Sequence, residues 1–326
     1  MQFNIKYSRM GNKFFFVSNL TEWHFSCRKN YNEVWLNKIG DLSKKEKNSL
    51  EQFKKILQKY NFANYLGLFF ITSKEKKVWK NLSKIVTKTE LGELKEIFDI
   101  FEDKFKEIWN SQILEKNIKI LTKEINKTLP KIINALETLF GKIRRRKFDI
   151  YLLQHPYKNK IVSGGANLKN KGITIECNDL SETGKEILNN AISVVYHEFL
   201  HMLFGKKIRI ISSHFYEENG KSKIIPYRDL RNTMEEIVVH SLFSYHGFLS
   251  NKYFYKHPKE TTSSNLKKYK NTFISVKNNK SNITRNDEIG VYFFIAINLH
   301  PLIKEYLNDN KKIDKHFISE IIKIIR

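Results

Sequence analysis

The sequence predicts an α+β protein in which helix predominates. From Asp41 to Lys147 apolar residues recur at three- and four-residue spacing, as in Leu50, Phe53, Ile56 and Leu57 and again in Leu94, Ile97, Phe98, Phe101, Phe105 and Ile108. That is the period of an amphipathic helix. At Phe148 the texture turns to short β-prone runs, and beyond Thr183 the helical period returns. These shifts divide the chain into a mostly helical N-terminal accessory region at 1–147 and a second domain at 148–326.

The first forty residues mix aromatics with polar groups, Phe14, Phe15, Phe16 and Val17 and then Trp23, His24 and Phe25, and read as short strands or an irregular start. Leu129-Pro130 marks a helix break or a helix start. Phe148 to Leu153 reads as a strand ending near His155-Pro156, and Ile161 to Leu168 and Gly172 to Cys177 as two further short strands, which together make a small sheet. Thr183 followed by Glu186 is a capping box that opens a helix over Ile187, Leu188, Ala191, Ile192 and Val195. The expected end is Phe204, with Gly205 as the C′ residue and Lys206 and Lys207 at the favourable end of the dipole. After a loop at 212–228 another helix is expected from Asp229 to His246. Residues 250–286, rich in Lys, Asn, Ser and Thr, read as a flexible loop or lid. Two apolar helices, at 289–307 and 317–325, end the chain.

Composition narrows the class. The 326 residues carry 58 Lys+Arg against 34 Asp+Glu, a formal charge of +24. With 41% hydrophobic and 13% aromatic residues the chain can bury a sizeable core, which excludes global disorder. No stretch reaches the roughly 18 uncharged apolar residues of a membrane helix. Two cysteines far apart, Cys27 and Cys177, exclude a disulfide scaffold, and no clean signal peptide is visible, so the expectation is a soluble cytoplasmic protein. The basic excess can serve nucleic acid or an acidic partner, but its lysines are scattered through amphipathic segments, as on a solvated surface, and nucleic acid is not the favoured partner.

The chemistry-bearing pattern is His197-Glu198-Phe199-Leu200-His201, an HExxH. On a helix this spacing places the two histidines one turn apart on one face, where two imidazoles can share one ion. Glu198, beside the first of them, can take a proton from water at that ion, as metal-assisted hydrolysis requires. Burying Glu198 among Val194, Val195, Phe199 and Leu203 without a partner would cost several kcal/mol, a cost that an ion offsets.

A catalytic zinc takes a third protein ligand and leaves its fourth position open. Glu235 or Glu236, in Met234-Glu235-Glu236-Ile237-Val238-Val239-His240, can supply it. Glu236 is favoured because His240 stands one turn further on and can orient it, whereas the equivalent neighbour of Glu235 is Val239. A competing reading pairs Thr233 with Glu236 in a second capping box; Asp229 as the N-cap would leave Glu236 free to coordinate.

At these residues the chain resembles the gluzincin group of zinc metallopeptidases, in which HExxH is completed by a Glu from a following helix. The resemblance covers about Phe148 to Gly247 and rests on His197 to His201, on the Glu236-x-x-x-His240 pair, and on the preceding short sheet with Gly164-Gly165-Ala166-Asn167. His240 stands where those families carry an acidic or amide residue. The resemblance implies a zincin-like core of small sheet, HExxH helix and Glu-bearing helix. It also implies one Zn²⁺ per chain on His197, His201 and Glu236, Glu198 as general base, and peptide-bond hydrolysis. Gly165, Ala166 and Asn167 would form an edge strand that binds extended substrate backbone. For the oxyanion-stabilising group Tyr227, Tyr245, His246, Tyr253, Tyr255 and His257 are candidates. His24 and Cys27, lacking a second pair, read as structural. The rival class is a non-catalytic zincin-like basic protein that binds nucleic acid or an acidic partner.

Overall fold

In the computed structural model the described residues are 1–24, 27–60, 63–144, 147–157, 163–165, 172–219, 229–255, 259–278 and 284–325. They are mostly helical, with one mixed sheet of four strands. The chain divides into two compact units: Met1–Thr122 with Lys147–Leu188, and Lys123–Arg146 with Asn189–Arg326. Residues 147–188, which carry three of the strands, group with the N-terminal helices, while 123–146 group with the C-terminal ones.

The first unit opens with β1 (Gln2–Lys6), then α1 (Arg9–Leu20), α2 (Lys29–Ile39), α3 (Lys44–Lys59), α4 (Ala63–Thr72), α5 (Val78–Leu82), α6 (Lys88–Ile100) and α7 (Glu102–Ile108). The start of α8 (Ser111–Phe140) follows, and then β2 (Lys147–Gln154), β3 (Ser163–Gly164) and β4 (Ile173–Cys177). The strand order is β1-β2-β4-β3, with β1, β2 and β4 parallel and β3 antiparallel at one edge. Strand β1 lies along β2 from Gln2 opposite Lys147 to Lys6 opposite Tyr151.

Where short strands or an irregular start are expected, Phe14 to Val17 lie inside helix α1, whose N-cap Ser8 accepts from the Gly11 N–H. Aromatic packing overrides the β propensity of the run. Phe14, Phe70 and Phe98 stack in series with ring centroids 4.9 and 4.7 Å apart, and Phe53 meets Phe14 and Phe98 edge-on. Pro130 does not interrupt α8. It and Asn126, whose carbonyl loses its partner, are both exposed, so water can take the orphaned oxygen while Leu129 and Ile132 stay buried.

The second unit takes the rest of α8 and α9 (Lys185–Asn219) from Asn189 onward. Next come α10 (Leu230–Leu242), α11 (Phe248–Ser250) running into a π turn at Asn251–Tyr255, and α12 (Lys259–Asn278). The chain ends with α13 (Arg285–Asn298), α14 (His300–Asn308) and α15 (Lys315–Ile325). Helix α9 begins as expected, although the Thr183 hydroxyl donates to the Leu180 carbonyl instead of capping it. It does not stop at Phe204. Phe204 stacks on Phe140 with centroids 4.5 Å apart, Ile208 and Ser212 are fully buried beyond it, and Lys207 donates to the Phe140 carbonyl at the end of α8. These contacts offset the roughly 1 kcal/mol that a mid-helix glycine costs.

The expected loop at 250–286 is largely helix α12. Its apolar pattern is sparse, but Phe273 and Val276 are buried and Phe273 stacks on Phe294 of α13, centroids 4.8 Å apart. No helix among the described residues is long and apolar enough to cross a membrane.

Candidate metal centre

Helix α9 carries His197 and His201 one turn apart, and their Nε2 atoms face each other at 3.2 Å. Helix α10 brings Glu236 to them, its Oε2 lying 3.6 Å from His201 Nε2. The ligand atoms of His197, His201 and Glu236 lie within 4.8 Å of one another, a group that could hold a metal ion. Asp229 is the N-cap of α10 and accepts from the Asn232 N–H at 2.9 Å. The capping box between Thr233 and Glu236 is not formed, and the Glu236 side chain lies in the second turn, turned to the histidines.

The other nitrogen of each ring decides which tautomer is present. His197 Nδ1 lies 2.9 Å from the Phe243 carbonyl oxygen, which can only accept, so Nδ1 carries the proton. His201 Nδ1 lies 2.8 Å from Glu235 Oε1, again an acceptor. In the neutral rings both Nε2 atoms therefore present lone pairs to each other and to the Glu236 carboxylate. Three electron-rich atoms converge on one point, an arrangement that a cation or an added proton must neutralise.

The titration behaviour expresses that demand. Burial, together with the neighbouring His240 and His201, pushes His197 well below the ordinary histidine range. Burial would lower His201 as well, but hydrogen bonds to Glu235 and Glu236 and the charges of Glu236 and Glu198 outweigh it and raise His201 to about 10. Burial would raise the Glu236 carboxyl, yet the bond to His201 and the charges of His201, His240 and His197 hold it well below the usual carboxylate range.

Glu198 is 8% exposed on the motif helix. His240 stands beside Glu236, Nε2 to Oε2 3.8 Å, with its ring 4.7 Å from that of His197. Its other face stacks on Tyr292, whose hydroxyl donates to Glu288 Oε1 at 2.8 Å. Of the expected edge-strand residues, Gly165 follows β3 in the first unit and donates its N–H to the Thr174 carbonyl; Ala166 and Asn167 lie outside the described residues. Tyr227 and His257 lie outside them too. Tyr245 packs against His246 and Tyr255, and the Tyr255 hydroxyl donates to Asn190. The Cys27 N–H donates to the His24 carbonyl at 2.8 Å.

Sequence reasoning missed the setting of His201. Glu235, weighed only as a ligand, holds the far side of that ring, and its second oxygen takes an ion pair from Arg209. A signal was present: His201, Gly205 and Arg209 recur at four-residue intervals along one helix face. Comparison with family models, with curated proteins and with solved structures finds no match to this chain. The functional reading therefore rests on the residues and their geometry.

Proposed function

We propose that the protein is a zinc-dependent metallopeptidase of gluzincin type, with His197, His201 and Glu236 as its zinc ligands. The observation that carries the reading is the convergence of two Nε2 lone pairs and a carboxylate, both imidazoles being fixed by acceptors at Nδ1. Tetrahedral zinc with Zn–N bonds of about 2.0–2.1 Å needs its two nitrogens about 3.3–3.4 Å apart. The 3.2 Å between the Nε2 atoms and the 3.6 Å from His201 Nε2 to Glu236 Oε2 are close to that requirement. Two histidines and a glutamate form a catalytic donor set, which leaves a fourth position for water or substrate.

Zinc, when bound, supplies a Lewis acid that polarises a carbonyl oxygen and brings a water near pKa 7. The chain supplies the proton handling. A carboxylate oxygen of Glu198 accepts a proton from the attacking water and returns it to the nitrogen of the departing amine. Glu198 is itself 8% exposed, with Val195 and Phe199 fully buried near it along α9. His240, its Nε2 3.8 Å from the same Glu236 oxygen that faces His201, helps to hold the ligand carboxylate in place.

Two measurements test the reading. Elemental analysis of protein purified without added metal should give about one zinc per chain, and a peptide library should be cleaved by the native protein. Glu198→Gln should retain the zinc and lose on the order of 10²–10⁴ in turnover. A chain that holds no zinc even when zinc is added would reduce the motif to a core accident, and a fully active Glu198→Gln protein would remove Glu198 from its role.

A further inference from the structure

The environment of His201 is built by residues that the HExxH pattern does not contain. Glu235 is 6% exposed, and its Oε1 accepts the His201 Nδ1–H at 2.8 Å while its Oε2 pairs with Arg209. The carboxylate reaches that place because residue 205 is glycine. A Cβ there would stand 2.8 Å from the Glu235 carboxyl carbon and overlap one of its oxygens. Ligand, notch and anchoring cation thus follow one another along a single face of α9, with the carboxylate of α10 seated among them.

We propose that Glu235, seated against Gly205 and held by Arg209, is a positioning residue that sets the affinity of the site through His201, and that Gly205 is there to admit it. The inference rests on the zinc reading and adds to it the residues that tune the metal. An acceptor at Nδ1 selects the tautomer whose Nε2 lone pair faces the ion, fixes the plane of the ring and raises its basicity. His197 obtains this from the Phe243 backbone carbonyl, which no side-chain substitution removes. His201 obtains it from a side chain, so His201 is the ligand whose grip can be adjusted by substitution. Arg209 occupies the remaining carboxylate oxygen and fixes the rotation of the group, as a charge-assisted bond does.

The test is the zinc dissociation constant of the full chain, measured by competition with a chromophoric chelator, for the native protein and for Glu235→Ala, Glu235→Gln, Gly205→Ala, Arg209→Met and the Gly205→Ala/Glu235→Ala double variant. Helical content and metal-free unfolding midpoints serve as the control for fold. Glu235→Ala should weaken zinc about 10- to 100-fold, and Glu235→Gln, which keeps an acceptor and loses the charge, should fall between it and the native protein. Gly205→Ala should weaken zinc about as much as Glu235→Ala. The double variant should be no weaker than Glu235→Ala alone, because the methyl group then has no carboxylate to displace. Arg209→Met should weaken zinc less than Glu235→Ala. Native affinity in Glu235→Ala, or losses that multiply in the double variant, would overturn the proposal while leaving the zinc site standing. If Gly205→Ala alone fails to fold, the double variant decides: one that folds and binds like Glu235→Ala supports the notch, and one that also unfolds overturns it. A native chain that binds no zinc defeats the metal reading itself, and the native titration alone reveals that case.

Discussion

His155 in the first unit and His201 in the second are both withdrawn from water, yet their titrations are shifted in opposite directions. His155, 1% exposed, follows β2, stacks on Tyr31 with ring centroids 5.4 Å apart, and accepts the Tyr157 N–H at Nδ1. Desolvation and then the charge of Arg28 lower it to about 4, so it is neutral at ordinary pH. His201 has carboxylates on two sides and is raised to about 10. What separates a core histidine from a site histidine here is the charge around the ring rather than its burial.

The largest effect expected is in the aromatic stack of the first unit, where Phe98→Ala should cost about 3–5 kcal/mol in urea unfolding and leave the zinc affinity of the folded chain unchanged. Glu236→Ala should do the reverse: zinc affinity, read by chelator competition, should fall by more than the roughly 100-fold that losing an orienting neighbour costs, with a smaller change in metal-free stability. His155→Phe should leave zinc affinity at the native value.

The pH dependence of metal-free unfolding sharpens the contrast. His155 has a folded value below its unfolded 6.5, so the unfolded chain takes its proton first. The stability from keeping this ring neutral is present above pH 6.5 and is lost at about 1 kcal/mol per pH unit as pH falls toward 4. His155→Phe should flatten that limb. His201 lies above its unfolded 6.5, so its contribution is complete below pH 6.5 and fades as pH rises toward 10. His201→Gln should flatten the alkaline limb of the metal-free protein, and both slopes are read from urea midpoints across pH. The smallest effects come from matched helix caps. Thr87→Ala on α6 and Thr284→Ala on α13 each remove a complete capping box and should each cost about 1 kcal/mol.

Much of the site was legible because its signals are local. The four-residue interval of His197 and His201, the Asp229 cap and the one-turn interval from Glu236 to His240 each depend on a few consecutive residues and a regular helix. The bond from Glu235 to His201 spans 34 positions and depends on which way two adjacent glutamates face, which spacing alone does not reveal. Tertiary packing accounts for the misread elements. Gly205 looks like a helix end until Phe140 and buried Ile208 hold α9 together around it, and α12 is too polar to announce itself without Phe294. Strand β1 falls where short strands or an irregular start are both expected, and local pattern does not decide between them because its partner lies far along the chain.

That partner bears on how the protein is made. Strand β1 pairs in parallel with β2, Gln2 opposite Lys147, so the first strand leaves the ribosome some 145 residues before its neighbour. At a synthesis rate of about 5–20 residues per second it waits on the order of 10–30 s with both edges unpaired. During that interval the six helices from α1 to α6 can assemble their aromatic stack from comparatively local contacts, and the sheet must be added afterwards to an already collapsed nascent chain.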